Sequence, residues 1–224
     1  MSSEKSLRQL YAEMQEQRSR TMPPEELRIN VNQRRLLVET ADRSRFVKAG
    51  DRLEPFSLPE VDGGRITLDG LLAKGPAVLI FFRFAGCPAC NIALPYYQRE
   101  LFPPLHDLGV ALVAISPQVQ ERLVEIKRRH HLDFSVATDV GNTLAKDLGI
   151  TYSYDQPSRE LALFKGVNMG EVTGTGTWEL PMPTVLVVDQ DRTVRFVDVS
   201  PDWLDRTEAA PVLDAVRALV AETV

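Results

Sequence analysis

The chain has 224 residues, 44% apolar and 25% charged, with 31 acidic against 26 basic side chains and a net charge of −5. That length holds one large domain or two small ones, and it buries a core without disulfide staples. The acidic balance argues against nucleic acid as a partner, and no apolar run is long enough to span a membrane.

The opening Met1-Ser2-Ser3-Glu4-Lys5 leads into charged sequence with no apolar h-region. No ordinary secretory signal is therefore expected, and a reducing cytoplasm is the expected compartment. Up to Ala49 the chain reads as a helical extension, residues 1–49, ahead of a main domain at residues 50–224. Leu7, Leu10, Tyr11 and Met14 mark one helical face, and Pro23-Pro24 ends that helix and starts another. This apolar stripe could pack on a second copy, making a homodimer; packing on its own chain is the expectation.

From Gly50 the pattern changes. Phe56–Leu58 and Arg65–Leu68 flank Asp62-Gly63-Gly64, a hairpin signal. Ala77–Phe82 is continuously apolar, as a strand buried on both faces would be. A helix follows, expected to bend or break at Pro95. Ala111–Ile115 reads as a strand, with Ser116-Pro117 as an N-cap and first helical position ahead of a helix faced by Val119, Leu123 and Ile126. Phe134–Ala137 reads as a strand and Thr143–Leu148 as a short helix. Tyr152–Trp178 lacks periodicity and reads as an irregular insertion with one helix near Arg159–Phe164. Thr184–Val188 and Val194–Val199 form a second hairpin, and Val212, Val216, Leu219 and Val220 face a closing helix. Strands alternating with helices, with hairpins at the edge, predict an α/β fold with a mixed central sheet.

The two cysteines, Cys87 and Cys90, are the only ones in the chain, and they form Cys87-Pro88-Ala89-Cys90 between the apolar strand and a helix. A CxxC at a helix start brings two sulfurs within disulfide reach, and the positive end of the helix favours a thiolate. The duller reading is half of a zinc site. Zinc needs four ligands, and His106, His130 and His131 show no ligand spacing to the pair, so no metal is expected. His130 and His131 end a basic helix and read as a solvated face.

Beside these residues the chain resembles the thioredoxin fold, on Cys87, Cys90, Pro95 and Pro183-Thr184. More closely it resembles the peroxiredoxin-like AhpC/TSA family, in a branch with CxxC in the active loop. That resemblance rests on Gly50–Glu60, Phe82–Asn91, Val113–Gln118 and Trp178–Thr184. It implies a thioredoxin-like sheet flanked by helices, a cis Met182–Pro183 bond facing the dithiol, and no cofactor. It also implies an enzyme that reduces peroxides by cycling Cys87 and Cys90 between dithiol and disulfide. An external thiol, thioredoxin-like, glutaredoxin-like or small, would restore the dithiol.

Several departures bear on this. Counting back from Cys90, the proline and hydroxyl residue that ordinary peroxiredoxins carry become Arg83 and Cys87, and the family's strand arginine becomes Pro183. The buried carboxylate of thioredoxins is Phe81. The resemblance to peroxiredoxins makes Cys90 the attacking sulfur; the resemblance to thioredoxins makes it Cys87. A disulfide reductase or isomerase acting on a disulfide substrate, and a redox sensor without turnover, stay open as alternatives. Arg83 is either a surface charge or a cation holding a thiolate. Trp178 is either core or a neighbour of the dithiol. The first thiol is expected to ionise below the ordinary cysteine value of about 8.5, provided that its sulfur faces solvent, since burial against Phe81 and Phe82 works the other way.

Overall fold

The computed structural model describes residues 5–222, so the start of the opening segment, on which the expectation about a secretory signal rests, lies outside the described residues. Two helices come first, α1 (Leu7–Thr21) and α2 (Pro24–Thr40). α1 starts on a reciprocal cap: the Ser6 hydroxyl accepts from Gln9 N, and the Gln9 side chain accepts from Ser6 N. Pro23-Pro24 separates the helices, with Pro24 at the first position of α2, where its missing N–H costs nothing.

A 3₁₀ turn at Arg43–Arg45 leads on to the main domain. There the Arg45 carbonyl presses on Gly149. A Cβ on Gly149 would lie 2.0 Å from that oxygen, and its φ is +70°, so only glycine lets this connection pass. The hairpin β1 (Ser57–Pro59) and β2 (Arg65–Thr67) follows, then the short helix α3 (Leu68–Leu72) and strand β3 (Ala77–Phe81). Next come α4 (Cys90–Glu100), α5 (Phe102–Asp107), β4 (Ala111–Ser116), α6 (Gln120–Arg129), β5 (Ser135–Thr138) and α7 (Thr143–Asp147).

The insertion is more ordered than its sequence suggests. It holds two helices, α8 (Gln156–Phe164) and α9 (Met169–Thr173). A small antiparallel sheet of β6 (Thr151–Ser153) and β7 (Glu179–Pro181) closes it at the base. β8 (Thr184–Val188), β9 (Val194–Val199) and α10 (Ala209–Glu222) complete the chain.

The main sheet runs β5-β4-β3-β8-β9. β3 pairs parallel with β4 and antiparallel with β8, which makes the sheet mixed, as expected. All five residues of β3 are buried, because alternate side chains enter opposite cores. Val78, Ile80 and Phe82 join one core with α1, α4, α6 and α10. Ala77, Leu79 and Phe81 join the other with Leu68, Leu72, Leu144 and Leu148. The helical extension belongs to the first core: Leu7 and Tyr11 are buried on their own chain.

Three local expectations need correction. α4 runs through Pro95 without interruption, and the break comes at Leu101, before Pro103-Pro104. Ser116 does not cap a helix; it ends β4, and α6 begins four residues later behind Val119 with no side-chain cap. The Met182–Pro183 bond is trans, since the described residues contain no cis peptide. The trans chain passes directly from β7 to β8, with Met182 N donating to the Ile150 carbonyl and the Pro183 carbonyl accepting from Ser200 N. Only the resemblance had called for the costlier isomer.

Candidate active site

The site sits where the parallel strands β3 and β4 end. Beyond β3 the chain turns through Arg83–Ala89 into α4, and neighbouring side chains pin that turn from three sides. Ser116 Oγ donates to the Arg83 carbonyl at 3.1 Å, and Gln118 Oε1 accepts from Ala85 N at 2.6 Å. Asn91 Nδ2 donates to the carbonyls of Ala85 (2.7 Å) and Cys87 (2.9 Å). The Asn91 oxygen in turn lies 2.7 Å from His130 Nε2, so His130 is half-buried behind the turn rather than on a solvated face.

Cys90 is the first residue of α4, and Cys87 lies just ahead of it. Both are reduced, and both are fully buried, so the solvent exposure on which the expected lowering depends is not met. α1 covers them, with Tyr11 donating its phenol hydrogen to the Ala89 carbonyl inside the CxxC at 2.9 Å. The two sulfurs are unequal. Cys87 is lowered first by hydrogen bonding with the adjoining Cys90 side chain, and in smaller part by the Cys90 backbone. Arg83 Nη1 approaches it at 3.6 Å. The Cys90 thiol bond, with help from Arg83 and Arg206, outweighs burial and holds Cys87 well below the ordinary thiol range. Cys90 moves the other way: burial and the adjoining Cys87 push it well up, opposed by Arg206, whose Nη2 lies 3.5 Å from its sulfur.

Arg83 is a buried cation in an aromatic cage. Its guanidinium carbon lies 4.8 Å from the Trp203 ring centre, 5.6 Å from Phe84, 5.6 Å from Tyr154 and 6.0 Å from Tyr152. Its Nη2 donates to the Tyr154 hydroxyl, while Nε is buried with no protein partner. Arg206 donates from Nε to the Trp203 carbonyl at 3.0 Å. Among the described residues no carboxylate pairs with either guanidinium.

The structure thus brings Arg83, Cys87 and Cys90 together. Pro183 and Thr184 stand one step away, lining a small void with Arg206 and Thr207, and Thr184 Oγ1 donates to the Met182 carbonyl at 3.0 Å. Trp178 is further out; its ring lies 5.8 Å from that of Tyr154, behind Arg83. Sequence reasoning missed Arg206, Trp203, Tyr11 and Tyr154 as parts of the site. Arg206 lies among Asp202, Asp205 and Glu208, which reads as surface, and nothing local marks it as buried. No group of three His, Cys, Asp or Glu side chains among the described residues could hold a metal ion.

A family model described as the AhpC/TSA family matches residues 49–197. Peroxiredoxin Bcp of Escherichia coli K12 is 29% identical over 105 residues, 46% of this chain and 65% of that protein. The match therefore spans just under two thirds of that relative's length. Among solved structures, peroxidoxin BcpB of Mycobacterium tuberculosis superposes with a TM-score of 0.60 at 23% identity, covering 77% of this chain and 98% of that one. A peroxiredoxin-like protein of Aquifex aeolicus gives 0.61 at 14% identity, covering 78% and 88%. The fold is the thioredoxin-like α/β arrangement of these proteins.

Proposed function

The chain belongs to the AhpC/TSA family, and from that premise and the paired sulfurs we propose that it is a thiol-dependent peroxidase cycling Cys87 and Cys90. Cys87 attacks first. Arg83 Nη1 lies 3.6 Å from its sulfur, and Cys90 and both arginines hold it well below the ordinary thiol range, whereas burial and Cys87 push Cys90 up against Arg206 alone. That asymmetry is the observation that carries the reading, and it favours Cys87 over the residue the alignment with ordinary peroxiredoxins favours. The Cys87 thiolate attacks one peroxide oxygen, the O–O bond breaks, and Cys87 becomes a sulfenic acid. Cys90 then displaces hydroxide to leave a Cys87–Cys90 disulfide, and an external thiol restores the dithiol by exchange. Arg83 Nε is a buried donor without a partner, suited to a peroxide oxygen. Pro183, Thr184 and Trp178 act in this reading as supports of the arginines, not as reacting groups.

The burial of both sulfurs beneath α1 favours a small hydroperoxide over a bulky disulfide substrate. It also requires local opening before a protein thiol can reach the disulfide. A reducing cytoplasm fits a chain that must return to the dithiol after each turnover. Among the described residues no helix is long and apolar enough to cross a membrane.

Rapid mixing of the reduced protein with hydrogen peroxide tests the reading. A fast second-order loss of one thiol, followed by a step independent of peroxide, is expected. Cys87→Ser abolishes the first step, and Cys90→Ser leaves a sulfenic acid that a dione traps on Cys87. A trapped sulfenic acid on Cys90 in Cys87→Ser would reverse the roles, and slow peroxide reaction with rapid reduction of a model disulfide would favour the reductase.

A further inference from the structure

Arg206 is a buried cation with no carboxylate. The nearest acids are already engaged: Asp198 accepts from Thr207, Asp202 is clamped by Arg34, and Glu208 accepts from Leu7 N, Arg8 N and the Tyr96 hydroxyl. Burying an unpaired guanidinium is costly, and an anion beside it offsets that cost; the Cys87 thiolate does so in part at rest. The titratable groups that feel its charge are the Tyr11 and Tyr97 phenols, Cys90 and Cys87; the sulfur its Nη2 meets directly is Cys90 Sγ, at 3.5 Å, and the Nε bond to the Trp203 carbonyl aims the group there. Yet Cys90 is the sulfur that burial and the adjoining Cys87 hold as a neutral thiol.

We propose that Arg206 is a catalytic residue of the second chemical step, holding the Cys90 thiolate that appears once Cys87 has been oxidised. The proposal rests on the peroxidase reading given above. The Cys87 thiolate forms a bond to the terminal oxygen of ROOH, the O–O bond breaks, and RO⁻ leaves with the electron pair. RO⁻ takes the proton of the Cys90 thiol, the nearest acid in the site, and departs as ROH. Cys87 now carries a neutral sulfenic acid and Cys90 a negative charge, so the site's single anion has moved from the Arg83 side to the Arg206 side. The Cys90 thiolate attacks the Cys87 sulfur, the S–S bond forms, the S–OH bond breaks, and hydroxide leaves and becomes water with one proton from solvent. Two electrons pass from the sulfurs to the peroxide. Arg83 thus meets the sulfur of the first step directly and Arg206 that of the second, which gives a role to a residue remote from the CxxC in sequence.

The test follows both steps in one stopped-flow experiment on the full chain with hydrogen peroxide. Arg206→Gln is expected to slow the disulfide-forming step about tenfold at neutral pH, the equivalent of one pKa unit lost by its nucleophile. The pH midpoint of that step moves upward, while the peroxide-dependent step slows by a smaller factor. Arg206→Lys, which keeps the charge, recovers most of the second-step rate. Equal slowing of both steps with an unmoved midpoint would assign Arg206 a structural part only and overturn the proposal. A second measurement leaves Arg206 intact, so it holds even if the substitutions unfold the chain. In Cys87→Ser, where the first sulfur is replaced by a neutral hydroxyl, Cys90 is expected to alkylate with a midpoint below the ordinary cysteine value of about 8.5 in spite of its burial. A midpoint above it removes the proposal. Absence of any peroxide-dependent step in the wild type is the different failure that removes the peroxidase reading itself, and this proposal with it.

Discussion

Arg83 is held by rings and a phenol rather than by a carboxylate, and this choice leaves its charge available to Cys87. A carboxylate partner would neutralise it; the faces of Trp203 and Tyr154 stabilise it without doing so. Arg83→Gln is therefore expected to slow the peroxide reaction by about ten- to a hundredfold, matching the roughly 1.5–3 kcal/mol of a hydrogen bond to a charged group. Arg83→Lys restores little, because a point charge cannot meet Cys87 and Tyr154 together. The second-order rate with hydrogen peroxide measures both. The lowered Cys87 also ties stability to pH. A group whose folded value is depressed contributes stability that is fully present above its unfolded value, about 8.5, and lost as pH falls through the folded one. Reduced wild type is expected to lose stability towards acid more steeply than Cys87→Ser, as urea titrations at a series of pH values would record. At this scale the sequence made the dithiol and Arg83 legible, because spacing alone puts them together. Arg206 and Tyr11 were not legible, because folding alone brings them to the sulfurs from 116 and 78 residues away.

α1 acts on the site as an element, through two attachments to the rest of the chain. Its N-terminus is latched by the Glu208 carboxylate, which accepts from Leu7 N and Arg8 N. An anion at a helix N-terminus is stabilising through the helix dipole as well as the hydrogen bonds. Its middle is fastened by Tyr11 to the Ala89 carbonyl. Tyr11→Phe should cost about 0.5–1.5 kcal/mol, the net worth of one hydrogen bond, since the Ala89 carbonyl keeps the N–H groups of Ile92 and Ala93. Leu7→Ala, at a fully buried position, should cost about 2–5 kcal/mol. Both variants should admit a bulky maleimide to the dithiol faster than wild type does, while the rate with a small alkylating agent changes less. Equal acceleration for the two reagents would show that α1 does not gate by size. Most elements could be read from the sequence because their periodicities are strong: α1, β3, the β8–β9 hairpin and the final helix. The misreadings share a physical origin. Ser116 has the chemistry of a cap, but its hydroxyl is used by the Arg83 carbonyl across the sheet. The β6–β7 pair, three residues a strand and 28 positions apart, is too short to show a period, and it exists only because the insertion must be closed.

Across the whole molecule, one sheet with two apolar faces gives the chain its layers, and the helical extension adds a cover to the face that carries the two cysteines. The layer order was legible from alternating strands and helices; the position of the cover was not, because an amphipathic stripe does not say which surface it meets. The caged guanidiniums carry one further consequence, which is electrochemical. In the dithiol state Arg83 and Arg206 share one thiolate; in the disulfide state that charge is gone, and two buried cations face neutral sulfur with no carboxylate to turn to. The electrostatic penalty falls on the oxidised form alone. The reduced protein is then the better-stabilised partner of the redox couple, the condition that makes a disulfide a strong oxidant. Equilibration in dithiol buffers should give a standard potential above the roughly −270 mV of thioredoxin. Calorimetry should show the oxidised protein melting below the reduced one, the reverse of what a cross-link ordinarily does to a folded chain. A higher melting temperature on oxidation would mean that the lost charge is compensated elsewhere in the fold.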